Sequence, residues 1–112
     1  MLLLGNNSIY LYLLITFMRV SNLYKAPKGL IRISAEVEND LIIEIRVTGD
    51  FFMVPEDAVE LLENHLRGVE LSENYLKGAL EDFYSIGVVT PMLTKEDFIK
   101  AILGAKDEGK AN

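Results

Sequence analysis

Few side chains in this 112-residue chain are of types and spacings that could do covalent chemistry. There is no cysteine, which removes disulfides, thiolate catalysis, persulfide relay and cysteine-ligated iron–sulfur or zinc sites. The single histidine, His65, cannot build a histidine metal cluster. With no second titratable partner in its motif it reads as structural or solvated rather than catalytic. No paired acid and base, and no nucleophile with its base, can be read elsewhere. Pro27-Lys28-Gly29 is the longest candidate for a phosphate cradle, and its lone glycine makes none. What remains is recognition chemistry, concentrated at Val47-Thr48-Gly49-Asp50-Phe51-Phe52. Gly49 can take the positive φ of a turn, and the short Asp50 carboxylate can accept bonds from nearby backbone N–H groups. Neighbouring side chains on extended backbone point to opposite faces, so Phe51 and Phe52 cannot both enter one core. One of them is expected to face outward or into a partner.

The elements that must position this stretch follow from periodicity. Ile31, Ile33, Ala35 and Val37 alternate with Arg32, Ser34 and Glu36, the pattern of a half-buried strand. Glu38-Asn39-Asp40 has turn composition, and Leu41, Ile43, Ile45 and Val47 resume an apolar face. Keeping both apolar sets together pairs Val37 with Leu41 and Ile33 with Ile45. That register sets Arg32 opposite Arg46, an unfavourable like-charge pair unless an anion or the flanking Glu36 and Glu44 relieve it. A lone hairpin is not stable, so helices must cover it.

Three helices are expected. The first starts at Pro55, carries Ala58, Val59, Leu62 and Leu66 at helical spacing and ends at Gly68. The second is capped by Ser72 and buries Leu76, Ala79, Leu80 and Phe83, with Gly78 as a small residue suited to close packing. Ile86-Gly87-Val88-Val89-Thr90 reads as a short third strand stopped by Pro91. Thr94 and Asp97 resemble a capping box for a third helix with Phe98, Ile99, Ile102 and Leu103 as its stripe. Gly104 is expected to end it, leaving residues 105–112 as a frayed tail. The fold class is therefore α+β, a single domain over residues 18–104, with a hairpin packed on about three helices. Residues 1–17 hold an apolar run too short to span a membrane, and Met18 is expected to be the true start.

Seventeen acidic against eleven basic residues give a net charge of −6, which disfavours nucleic acid or an anionic membrane as partner. The bases Arg19, Lys25, Lys28 and Arg32 all precede the first acid, Glu36. The chain reads as a basic arm on an acidic body.

Gly29-Leu30-Ile31, the strand ending in Gly49-Asp50-Phe51-Phe52, Leu62-Glu63-Asn64-His65-Leu66-Arg67-Gly68, and a helix with Leu76 and Leu80 occur in that order. Together these stretches, over residues 29–80, resemble the small C-terminal domain of lipoate–protein ligase. In that family the small domain is fused behind a catalytic domain or, in some archaeal systems, is a separate subunit. The resemblance implies an accessory subunit in the cytoplasm, needed by a large catalytic subunit to activate lipoate to lipoyl-AMP ahead of transfer to an acceptor lysine. Lipoate, ATP and Mg2+ are implied at that partner and none at this chain alone; lipoyl-acceptor proteins would be indirect partners. Under this reading Gly49, Asp50, Phe51 and Phe52 lie at or beside the subunit interface, with Arg32 or Lys28 facing it. The rival reading is a non-enzymatic adapter that binds another partner through the exposed face of the hairpin.

Overall fold

The computed structural model describes residues 17–111, with side chains through Lys106. The expectations for residues 1–16 lie outside that range. Three antiparallel strands, β1 (Phe17–Ala26), β2 (Gly29–Glu38) and β3 (Leu41–Asp50), form one sheet in the order β1-β2-β3. Three helices follow: α1 (Ala58–Leu66), α2 (Glu73–Ser85) and α3 (Lys95–Ala111). The α+β class expected from periodicity is the observed one. The third strand is a different segment from the one expected, because it precedes the hairpin at β1. Residues 86–90 contribute a single bridge, Val89 to Val54, instead of a strand.

The β2–β3 turn sets a register that differs from the expected one. Asn39 and Asp40 both have positive φ, 53° and 66°, the signature of a two-residue hairpin loop whose twist matches the strands. Such a loop pairs Glu38 with Leu41 and Val37 with Ile42. Ile42 therefore turns inward and is fully buried, while Leu41 and Ile43 are exposed. A bulge between Glu36 and Val37 on β2's side of the ladder, with Ile43 as the extra residue opposite, restores the phase. Beyond it Ala35 pairs with Ile45 and Ile33 with Val47, and all four are buried. Arg32 consequently faces Thr48, and Arg46 faces Ser34. The expected like-charge pair does not form.

All three helices lie on one side of the sheet. α1 packs under β3, α3 under β1 and β2, and α2 contacts both helices. Leu76, Leu80 and Phe83 of α2 are fully buried, each contributing about 1.5–3 kcal/mol. That outweighs the ~1 kcal/mol helix penalty of Gly78. The close packing expected at Gly78 is not found: a Cβ there would meet nothing within 4 Å. Gly78→Ala is therefore expected to stabilise the domain by about 0.5–1 kcal/mol, read as a raised urea midpoint with unchanged slope. A lowered midpoint would mean that the position is crowded after all.

α1 begins at Ala58 with Asp57 as its N-cap, three residues later than expected, and the Val54–Pro55 peptide is cis. The capping box of α3 is formed as expected. The Thr94 N–H donates to Asp97 Oδ2 at 2.9 Å, and the Asp97 N–H donates to Thr94 Oγ1 at 3.1 Å. α3 passes through Gly104 without stopping. The glycine serves a close approach instead, since a Cβ there would run into the Asn22 side chain of β1. Asn22 in turn donates to the Ala101 carbonyl at 2.9 Å, binding the first strand to the last helix.

Candidate partner-binding site

At the end of β3 the chain must leave the sheet. Gly49, paired with Ile31, has φ +147°, and its α-hydrogen side lies against the Leu30 backbone. After Asp50, paired with Leu30, the side chains alternate. Phe51 turns inward and meets Phe98 of α3 edge-on, with ring centroids 5.6 Å apart at 88°. Phe52 turns outward and is 78 % exposed, Met53 is buried, and Val54 is exposed again. Val54 exchanges both backbone hydrogen bonds with Val89, at 2.8 and 3.0 Å. In this two-stranded ribbon Val88 and Thr90 face inward while Val89 faces outward. Met92, with φ 79°, is 69 % exposed at the tip of the following turn.

Buried hydroxyls hold that turn. Thr90 Oγ1 donates to the Leu93 carbonyl at 2.9 Å, and the Tyr84 hydroxyl lies 2.8 Å from Thr90 Oγ1. Burial is the main reason that the Tyr84 pKa is raised above its usual value, so this hydroxyl keeps its proton and remains available as a donor. Phe52, Val54, Val89 and Met92 thus form an exposed apolar surface on a rigid base. Periodicity anticipated one outward phenylalanine of the Phe51–Phe52 pair without deciding which. The other three come from sequence-distant segments joined by the Val54–Val89 bridge, although the alternation of Phe52 with Val54 was a usable signal.

The remaining expected residues divide between two surfaces. Lys28 is exposed in the β1–β2 turn. The next residue, Gly29, lies so close to Leu93 and the Asp50 carbonyl that a Cβ would sit 3.0 and 3.2 Å from them. Lys28, Asp50 and the 90–93 turn therefore gather at one end of the molecule. Arg32 is exposed two rungs in from Asp50, on the face of the sheet that the helices leave open. Neither cation enters an ion pair among the described residues.

The helix motif at residues 62–68 is accounted for by attachment of α1 to β3. Leu62 and Leu66 are fully buried. The Glu63 carboxylate accepts the Val47 N–H at 2.8 Å, covering a donor on the outer edge of β3. Arg67 bonds Asn64 Oδ1 and pairs with Glu44 at 2.7 Å. Gly68, with φ 82°, donates to the Ile42 carbonyl at 2.6 Å. His65 Nδ1 lies 3.0 Å from the Leu61 carbonyl, and its ring packs edge-on against Phe83. Among the described residues, no group of three or more His, Asp or Glu side chains is arranged to hold a metal ion. Nor, among the described residues, is any helix long and apolar enough to cross a membrane.

Residues 18–102 match the family model of the bacterial lipoate protein ligase C-terminus. The chain belongs to this family of lipoate–protein ligase C-terminal domains. It is 42 % identical over 85 residues to lipoate-protein ligase A subunit 2 of Thermoplasma acidophilum, spanning 76 % of this chain and 88 % of that protein. A solved structure with 42 % identity superposes with a TM-score of 0.72 over 77 % of this chain and 96 % of the other. It comes from a study of an archaeal lipoylation system, a bi-partite lipoate protein ligase and its E2 lipoyl domain, from Thermoplasma acidophilum.

Proposed function

We propose that this chain is the accessory subunit of a two-part lipoate–protein ligase, acting with a large catalytic subunit in the ATP-dependent activation of lipoate to lipoyl-AMP, ahead of transfer to an acceptor lysine. The observation that carries this reading is the match, over 76 % of this chain and 88 % of the other, to a relative named as subunit 2 of a lipoate-protein ligase. Lipoate, ATP and Mg2+ belong to the catalytic partner in this scheme, acceptor proteins are reached through it, and the cytoplasm is the compartment it implies. Adenylation needs a closed, water-poor site with the carboxylate aligned on the α-phosphate. A docked domain can supply closure without contributing a nucleophile.

The side turned to the catalytic subunit is the end of the sheet that carries Gly49, Asp50, Phe51 and Phe52, with Lys28 in the adjoining turn and Arg32 at its margin, on the open face of the sheet. Gly49 and Phe51 shape this end from within, while Phe52 and Lys28 reach outward. Lipoate-dependent pyrophosphate release by the large subunit of the same organism tests the role. Adding this chain is expected to raise the rate about tenfold or more, a barrier change of about 1.4 kcal/mol. An unchanged rate, with no complex on a sizing column, assigns the chain to a different partner.

A further inference from the structure

Exposed large apolar side chains are ordinary when scattered and informative when contiguous. Here Phe52, Val54, Val89 and Met92 are each more than half exposed. The Val54–Val89 bridge sets those two side by side, with Phe52 on the same side of its strand as Val54 and Met92 in the turn that follows Val89. Beside it opens a groove of about 380 Å³ lined by Pro55, Leu61, Ile86 and Val88, with Asp57 and Glu60 along its wall. The ribbon leads directly into this groove, since Pro55 follows Val54 and Val88 precedes Val89. Charge is uneven across the region: Lys28 lies with Asp50 at the sheet end, and the α1 end carries the acids Glu56, Asp57 and Glu60.

We infer that this ribbon face and its groove form the surface on which the catalytic subunit docks, an inference that rests on the accessory-subunit reading. Permanent subunit contacts are the apolar ones, with charged residues displaced to the rim. This surface has that composition, whereas the open face of the sheet sets a single exposed Leu23 on β1 among Arg19, Ser21, Arg32, Ser34, Glu36 and Arg46. The fitting partner surface is an apolar socket for Phe52 and Met92. It carries a cationic side chain opposite Asp57 and Glu60 and an acid opposite Lys28, which together fix the orientation of docking.

The test uses the full chain carrying Phe52→Ser and Met92→Ser together, mixed with the large subunit of the same organism. Both side chains are exposed, so the melting temperature is expected to stay within about 2 °C of the parent. The dissociation constant of the complex is expected to rise about a hundredfold, as for two central contacts. Pyrophosphate release should recover when the variant is added in large excess. A parent chain that binds and stimulates, with a double variant that binds equally well, overturns the docking surface and leaves the subunit role standing. A parent chain that neither binds nor stimulates removes both. A parent homodimer that the double variant converts to monomer, with binding to the large subunit unaltered, assigns the ribbon to a second copy and overturns the proposal.

Discussion

Gly49→Ala is expected to unfold at a markedly lower urea concentration than the parent. At φ +147° an L side chain is strained whatever the space around it. Here there is no space, because the added methyl would overlap the Leu30 carbonyl oxygen. Neither neighbour can yield cheaply. Leu30 is paired with Asp50, and Ile31, the partner of Gly49, is fully buried in the core. Relief requires separating the last rungs of β2 and β3, which also carry the inward turn of Phe51. A loss of about 3 kcal/mol follows from strain and steric overlap together, a large share of the ~5–15 kcal/mol by which small domains are stable. Urea unfolding followed by circular dichroism reads it directly. A midpoint equal to that of the parent would show that β3 leaves the sheet by a different path.

Phe98→Ala is the second large effect, expected to cost about 3–5 kcal/mol and to lower the melting temperature by about 10 °C or more. Phe98 is fully buried just after the capping box of α3. It is the ring against which Phe51 closes. Its removal opens a cavity under the sheet and also withdraws the support of the segment that displays Phe52. The surviving folded fraction is therefore expected to bind the catalytic subunit less tightly than the parent, although Phe98 itself touches no partner. Phe98→Leu, which keeps most of the volume, is expected to cost under about 1.5 kcal/mol. Equal losses for alanine and leucine would mean that the ring geometry, and not the filled volume, is what matters.

What could be read from the sequence was local. The alternation of β2, the apolar stripes of the helices, and the Thr94–Asp97 cap depend on neighbours within a turn or two, and each is found in the structure. β1 was not legible because its inward position 22 is an asparagine and its outward position 23 a leucine, the reverse of a simple pattern. Asn22 is acceptable there only because Ala101, 79 residues away, supplies a carbonyl for its amide. The register of β3 escaped for a similar reason. The positive φ values of Asn39 and Asp40 decide the loop length, and the bulge at Ile43 repairs the phase afterwards. Of the candidate interface, alternation gave that the two phenylalanines go to opposite sides, and the structure decides that Phe51 is the inward one and Phe52 the outward one. The contribution of Val89 and Met92 depended on a bridge between distant segments.

The bond from Asn22 to Ala101 also bears on when the protein can become a protein during synthesis. The first strand of the sheet is locked by the last helix, with Gly104 placed to admit it. A chain leaving the ribosome amino end first can form the β2–β3 hairpin early. Its core stays open, with β1 and β2 lacking their α3 cover, until α3 emerges. Closure of the core thus waits for α3, and the apolar face of the waiting sheet is the stretch most in need of shelter in the interval.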